Sequence, residues 1–187
     1  MQELDKKDFP AIYQLMEKSF PPDEYRPYAE SRALLEHPAY AVSVSYEDRL
    51  SRTPGLDREQ TGCPRPLIAG FIASWSLPVF SFIEHFAVDP AMRNNGFGSR
   101  LLQTWSAACE AGICLEVEPP ETEKAKRRIA FYERNGFHLN LYPYVQPPIS
   151  AGKKPIPLLL MTRGKALSAD EFERARNTLY REVYNLH

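Results

Sequence analysis

Two glycines lie in a short polar turn between an apolar run and a segment whose apolar residues recur at helical spacing. The turn spans residues 93–99, after the run 82–88 and before Leu101 and Leu102. A turn from a strand into a helix presents free backbone N–H groups and the positive end of the helix dipole, and glycine lets a ligand approach the main chain closely. The turn therefore predicts an anion site, and we expect a phosphorylated cofactor there.

Two common phosphate motifs fit this turn poorly. A P-loop needs Gly-Lys followed by Ser or Thr, whereas Gly98 is followed by Ser99-Arg100. A dinucleotide-binding fingerprint needs a third glycine where Leu101 stands, although Glu116 or Glu118 could supply its acidic partner. Because the bulky Leu101 hinders close packing of helix on strand, this second motif is disfavoured.

A different pattern matches better. The run from Val88 to Gly98 resembles the acetyl-CoA motif of the GNAT superfamily of N-acetyltransferases, in which Arg or Gln precedes x-x-Gly-x-Gly or Ala. The segment from Arg128 to Phe137 is similar to the family's helix with an aromatic-Tyr pair, followed by Gly-Phe at the next strand. Leu115-Glu116-Val117 also resembles the intervening strand of members that acetylate protein N-termini. The resemblance covers about residues 67 to 162.

The resemblance implies acetyl-CoA as the acetyl donor and assigns its contacts. Main-chain groups of Phe86, Ala87 and Val88 would pair with the pantetheine arm. The alternative is an ordinary glycine turn with Arg93 as a solvated surface charge. In the family reading, the pyrophosphate would be held by the backbone N–H groups of Arg93, Asn94, Asn95, Gly96, Phe97, Gly98 and Ser99.

The implied reaction is direct attack of an amine on a thioester carbonyl, without a covalent enzyme intermediate. An amine with a pKa near 10.4 is neutral in only about one molecule in 2,500 at pH 7, so the site needs a base or a preference for the neutral form. Glu84, Glu116 and Glu118 are the candidates for a base or proton relay. Alternatively, these carboxylates face solvent or attract a cationic substrate. Strand alternation places Glu84 on the face of Phe82 and Phe86.

Tyr132 is the candidate acid. The matching tyrosine of the family lies near the CoA sulfur and can donate a proton to the departing thiolate, and a phenol with a pKa near 10 is protonated at pH 7. The alternative is an aromatic core residue with a locally bonded hydroxyl. We expect His85 to be hydrogen-bonded in the interior, pointing away from Glu84 unless a bulge rotates it.

The remaining pattern predicts an α/β (α+β) fold, a single GNAT-like domain with a mostly antiparallel mixed sheet flanked by helices. A helical crossover at the cofactor turn predicts one parallel strand pair. Gly112 is the predicted cap at the end of the helix after the turn, and residues 48–66 form a predicted exposed loop. The predicted strands are residues 39–46, 67–75, 79–88, 113–118, 137–144 and 158–162, and the predicted helices are residues 8–20, 28–36, 99–111, 122–135 and 168–186.

Length and composition limit the class of protein. The 187 residues predict one domain over residues 1–187, with residues 168–187 as an added terminal helix. A net charge of −1 offers no basic excess for nucleic acid. Cys63, Cys109 and Cys114 lack metal-ligand spacing, so we expect structural thiols and no metal. No leader or membrane segment is apparent, which predicts a cytoplasmic protein.

The expected partner is an amine, carried by a small molecule or a peptide; the acceptor itself and the oligomeric state are left open. The second reading of the sequence belongs to another class, a CoA-binding regulatory or interaction module without turnover. Consumption of acetyl-CoA in the presence of amines distinguishes an enzyme from such a module.

Overall fold

Alternating apolar residues build one central sheet in which seven strands follow the order β1-β2-β3-β4-β5-β7-β6. The computed structural model describes residues 1–47 and 67–186, so the loop predicted over residues 48–66 lies outside the described residues. The β4–β5 pair is parallel and the other neighbouring pairs are antiparallel, which confirms the predicted mixed sheet. The strands are β1 Gln2–Glu3, β2 Tyr40–Glu47, β3 Leu67–Ser76, β4 Phe80–Val88, β5 Gly112–Val117, β6 Phe137–Gln146 and β7 Ile156–Arg163.

Amphipathic helices cover both faces of the sheet. One face packs against α1 and α5, and the other packs against α3 and α4. Consecutive strand residues point to opposite faces, so Phe82 contributes to the first core and Ile83 to the second. Among the described residues, no helix is both long and apolar enough to cross a membrane. The helices are α1 Phe9–Ser19, α2 Tyr28–Ala33, α3 Phe97–Ser106, α4 Glu123–Arg134 and α5 Ala169–Glu182.

Local capping signals mark both ends of α4 and the start of α5. The Thr122 side chain accepts a hydrogen bond from the Ala125 N–H, and Ser168 forms a capping box with Glu171, as predicted. Gly136 follows α4 with φ of 84°, which agrees with the predicted left-handed terminus.

The predicted end of α3 is wrong. The helix ends at Ser106, where Ala108 N–H bonds to Trp105 C=O and Cys109 N–H to Ser106 C=O, a tight closing turn. Gly112 pairs with Phe80 as the first residue of β5. Because the parallel register needs Gly112 in the sheet, it cannot also cap the helix.

A β-bulge in β4 changes which side chains share a face. The β3–β4 register passes from Ala73 opposite His85 to Ser74 opposite Ile83, so Glu84 has no cross-strand partner. Phe86 therefore packs with the α3/α4 core, and its predicted place on the face of Glu84 is wrong. His85 is buried, and its Nε2 lies 2.9 Å from the Glu24 carbonyl oxygen, as expected for an interior histidine.

Candidate active site

The parallel strand pair opens toward the carboxyl ends of its strands. β4 and β5 are bridged from Phe80/Gly112 to Ile83/Leu115, and within the described ranges no further bridge joins them. Beyond that point β4 remains paired with β3, and β5 with β7. The β5-facing main chain of residues 84–88 therefore has no partner strand, and an extended ligand arm could pair with it.

The turn after β4 forms a backbone cradle at the start of α3. Asn94 and Gly96 have φ of 69° and 68°, a left-handed conformation that glycine adopts without strain. The Arg100 N–H makes the first helical bond, to the Gly96 carbonyl at 3.1 Å, so the N–H groups in the first turn of α3 can bind a ligand, whereas the Arg93 N–H already donates to the Pro90 carbonyl at 3.4 Å. A Cβ at Gly98 would lie 3.6 Å from Val88 Cγ2, so glycine keeps this gap open. These features fit the pyrophosphate of the expected cofactor.

A pocket of about 600 Å³, here called the cationic pocket, lies between α3 and α4 above the cradle. Among the described residues lining it, five are basic and none is acidic: Arg93, Lys124, Arg127, Arg128 and Arg134. The predicted cofactor residues that line it are Phe86, Val88, Arg93, Asn94, Gly96, Phe97, Gly98 and Ser99.

Two predicted cofactor residues lie elsewhere. Ala87 lines a second, adjoining cavity, and the Asn95 carbonyl accepts a hydrogen bond from Arg100 Nη1 at 2.9 Å. The Arg93 side chain also has a local partner, because its Nε donates to the Val88 carbonyl at 3.0 Å. The charge of Arg93 thus remains close to the end of β4.

The adjoining cavity, here called the carboxylate cavity, has a volume of about 240 Å³. It collects all four predicted catalytic residues, and the sequence interpretation missed its fourth carboxylate, Glu24. The two cavities share Phe86, Val88, Arg93, Lys124, Arg128 and Tyr132. A molecule in the cationic pocket and an acceptor in the carboxylate cavity would therefore meet beside Tyr132.

Tyr132 reaches this junction from the α3/α4 side of the sheet. Its ring packs against Phe131 and Phe137, with centroids 5.2 and 5.5 Å apart. Burial raises the pKa of the Tyr132 hydroxyl to about 12. The phenol therefore keeps its proton throughout the neutral range and can act as a hydrogen-bond donor.

Glu84 is held in a buried ion pair. Arg26 Nη1 lies 2.5 Å from Glu84 Oε1, and the two side chains are 9% and 3% exposed. Burial alone would raise the pKa of Glu84, but the charge and hydrogen bond of Arg26, together with the nearby His85, outweigh burial and hold the pKa at about 2. A carboxylate with so low a pKa is a weak base at neutral pH.

Glu116 has a different environment. It is partly buried and lies on the α1/α5 face, because its neighbours Leu115 and Val117 point into the opposite core. The Tyr144 hydroxyl donates to Oε1, and the Tyr184 hydroxyl lies 2.9 Å from both carboxylate oxygens. Burial raises the pKa of Glu116 to about 7, even though both tyrosine hydrogen bonds act to lower it.

Glu118 and Glu24 lie near the basic side chains of α4. Arg128 Nη1 is 3.0 Å from Glu118 Oε2. Burial, and then the neighbouring Glu118, raise the pKa of Glu24, while Arg128 acts in the opposite direction. These two carboxylates add negative charge to the cavity, and the ion pair partly compensates it.

Long-range contacts place three residues at or beside the carboxylate cavity that sequence patterns did not indicate: Glu24, Arg26 and Tyr184. Arg26 binds a carboxylate 58 positions away, and Tyr184 binds one 68 positions away. The position of Glu24 depends on the same approach of the N-terminal segment to β4, through its carbonyl and His85. Neither motif nor periodicity carries a signal for such pairings; the one local sign is the proline at residue 27, which favours extended backbone at Arg26.

In this fold a cation-lined pocket meets a carboxylate-lined one, and comparisons with known proteins give the family. The model of the GNAT acetyltransferase domain matches residues 65–139. A Bacteroides thetaiotaomicron protein of the GNAT family is 33% identical over 100% of this chain and 98% of its own, with a TM-score of 0.80. The chain therefore belongs to the GNAT family of acetyltransferases.

More distant structures share the fold. A variant of the spermidine N-acetyltransferase of Vibrio cholerae is 15% identical, with a TM-score of 0.57 over 93% of this chain and 98% of its own. The ribosomal-protein-S18-alanine N-acetyltransferase of Escherichia coli is 19% identical, with a TM-score of 0.53 over 90% and 95% of the two chains. Among proteins with curated functions, none matches this sequence.

Proposed function

We propose that this protein is an N-acetyltransferase that moves the acetyl group of acetyl-CoA to a primary amine by direct attack, within one domain formed by residues 1–187. One observation carries the proposal. Glu116, with a pKa of about 7, and the protonated Tyr132 reach the same cavity from opposite faces of the sheet, beside the cationic pocket. A group that can take a proton and a group that can donate a hydrogen bond therefore flank one reaction volume.

The cofactor would be held by residues 86–99 and by the basic side chains of the cationic pocket. Backbone N–H groups at the start of α3 and the five basic side chains would bind the phosphates, and the open edge of β4 would pair with the pantetheine arm. When bound, acetyl-CoA supplies an acetyl group activated as a thioester. The protein then has to orient an amine, remove its proton and stabilise charge on the leaving sulfur.

Glu116 is the proposed base. Its pKa of about 7 lies close to neutral pH, where a base combines availability with strength, whereas Glu84 at about 2 is paired with Arg26. Glu118 is engaged by Arg128 and contributes to attraction of a cationic amine. Proton transfer from the attacking amine to a Glu116 oxygen, directly or through one water, completes this half of the reaction.

Tyr132 would act at the other end of the reaction. A hydroxyl with a pKa of about 12 is protonated when the amine attacks, so it can donate a hydrogen bond to the leaving sulfur. We assign it this role because it lines both the cationic pocket and the carboxylate cavity.

The acceptor is a primary amine of a small molecule or a peptide. The carboxylates of the cavity favour a cationic amine, and its volume of about 240 Å³ admits an amine group with a short substituent. Two relatives in fold act, by their names, on spermidine and on the alanine of a ribosomal protein. Both kinds of amine therefore belong in the first panel of acceptors.

The test is acetyl-CoA consumption over a panel of peptide α-amines, lysine-type amines and polyamines, comparing wild type with Tyr132→Phe. We expect kcat with the best acceptor to fall by about 100-fold, while CoA raises the melting temperature of both proteins equally. Tyr28→Phe is the matched control, because Tyr28 is 38% exposed and lies outside both cavities. If no amine is consumed while CoA still stabilises the protein, a binding module replaces the enzyme.

A further inference from the structure

The segment that follows α5 contacts Glu116, a carboxylate that lines the carboxylate cavity, although the sequence marked this terminal helix as an addition to the domain. Phe172, Ala175 and Leu179 are buried in the core on the α1/α5 face, and the chain continues into buried Val183 and Tyr184. Val183 N–H and Tyr184 N–H both bond to the Leu179 carbonyl, at 2.9 and 3.2 Å. These bonds hold Val183 and Tyr184 in a defined position directly after the helix.

Tyr184 makes the closest contact of this segment with the site. Its hydroxyl lies 2.9 Å from both carboxylate oxygens of Glu116, and Tyr184 is only 8% exposed. Tyr144 donates to Oε1, so among the described residues Tyr184 is the hydroxyl that reaches Oε2. Because an ionised carboxylate only accepts, the phenol must be the donor. Two tyrosines from different elements thus hold one carboxylate.

The preceding residue, Val183, is linked to a second carboxylate of the cavity, that of Glu84. Arg26 Nη2 donates to the Val183 carbonyl at 3.2 Å, while Nη1 of the same guanidinium binds Glu84. Directly after α5, Tyr184 therefore contacts Glu116, and Val183 is connected to Glu84 through Arg26. A helix that only covered the sheet would need neither contact.

We propose that Tyr184 is a positioning residue of the acyltransferase site: its hydroxyl fixes the Glu116 carboxylate toward the cavity, so that the C-terminal segment is part of the active site. The proposal rests on the proposed role of Glu116 as the base. A glutamate side chain has several rotatable bonds, and two hydrogen bonds select one orientation before the amine arrives. Tyr184 itself touches neither the acceptor nor the cofactor in this role.

The surroundings of Glu116 give the sign of the expected pH effect. The groups facing it are Tyr144 from β6, Tyr184 and Tyr180 from the C-terminal segment, Glu84 from β4, Cys114 from its own strand, and Glu24 from the N-terminal segment. Burial and the two glutamates raise the pKa of Glu116, and the two tyrosine hydrogen bonds lower it. Loss of the Tyr184 hydroxyl therefore raises the pKa, and a base with a raised pKa becomes available only at higher pH.

The experiment compares the pH profiles of Tyr184→Phe and wild type with one acceptor amine, so that titration of the amine is common to both. We expect the acidic limb of kcat/KM to move up by roughly one pH unit and kcat at pH 7 to fall several-fold, with an unchanged KM for acetyl-CoA. Tyr142→Phe is the matched control: it removes a tyrosine hydroxyl that donates to a main-chain carbonyl, that of Leu167, at 3.3 Å. We expect its profile to match that of wild type.

Further variants distinguish failure of this proposal from failure of the proposed function. In the double variant Glu116→Gln/Tyr184→Phe, we expect no loss of kcat beyond that of Glu116→Gln, because Tyr184 acts through Glu116. If the acidic limb does not move in a folded Tyr184→Phe protein, and Glu116→Gln still lowers the rate, the positioning role of Tyr184 is overturned but the proposed base is retained. If Glu116→Gln leaves the rate and the limb unchanged, the proposed base itself is wrong. Melting temperatures identify any variant that loses activity by unfolding.

Discussion

The cationic pocket and the carboxylate cavity adjoin, yet they are assembled in opposite ways. The cationic pocket takes all its lining residues from two continuous stretches, 86–99 and 124–134. The carboxylate cavity collects residues from position 19 to position 158, and two of its glutamates, Glu84 and Glu116, are held by Arg26 and by Tyr144 and Tyr184, respectively. Backbone geometry suffices to bind a phosphate, whereas tuning a carboxylate requires buried partners, which come from distant parts of the chain.

The same contrast appears within the cavity, between Glu84 and Glu116. Both are shielded from water, but an arginine compensates the first and two neutral phenols hold the second. Their pKa values diverge to about 2 and about 7. Shielding alone therefore does not decide whether a carboxylate becomes a base; the charge of its partner does.

The largest effect is expected from removal of the charge on Glu84. Glu84→Gln leaves Arg26 buried without its counter-charge, and we expect the free energy of unfolding at pH 7 to fall by about 3–5 kcal/mol in chemical denaturation. Glu173→Gln is the control, because it breaks a surface pair with Arg176 in which both side chains are partly exposed, and we expect little change. A similar small loss in both variants would show that the Arg26–Glu84 pair is not structural.

Stability should also depend on pH in opposite directions at the two carboxylates. Glu84 has a folded-state pKa of about 2, below its ordinary 4.5, so its stabilising contribution exists above pH 4.5 and is lost as pH falls toward 2. Glu116 has a folded-state pKa of about 7, so its contribution is complete below pH 4.5 and is lost as pH rises through 7. We therefore expect Glu116→Gln to melt no lower than wild type at pH 8.

The second effect concerns catalysis. Wild-type kcat/KM should rise with pH through a limb centred at about 7, measured with an acceptor whose own pKa is known so that its titration can be separated. Glu116→Gln should lower kcat/KM by about 100-fold and remove this limb, whereas Glu118→Gln should retain it. A wild-type limb centred below pH 5 would instead favour a carboxylate with an ordinary or lowered pKa as the base.

The smallest effect is expected in the cationic pocket, where five basic side chains are proposed to bind the phosphates of the same cofactor. Arg127→Gln should raise the KM for acetyl-CoA by about 2- to 5-fold without changing kcat, and added salt should shrink the difference from wild type. Arg174→Gln, an exposed arginine on α5 outside both cavities, is the control and should behave as wild type. A change in kcat rather than KM would place Arg127 beside the reacting atoms.

Most of the fold was predictable because its signals are local. Thr122, Ser168 and Gly136 mark helix ends through their own backbone contacts, and these predictions were confirmed. The end of α3 was mispredicted, because the parallel pairing of Gly112 with Phe80 outweighs the local preference of glycine for a helix terminus. The bulge at Glu84 was likewise left open, since it arises from the register of two strands.

The sequence by itself determined the mixed sheet, the glycine turn that leads into α3, and Tyr132 and three glutamates as candidate site residues. These features depend on periodicity and on contiguous residues, so spacing along the chain is sufficient to detect them. Only the tertiary structure decided which glutamate is compensated by Arg26 and which is held by Tyr144 and Tyr184. Burial and charge act through space, and at Glu84 and Glu116 the neighbours that set the pKa come from segments far away in the sequence.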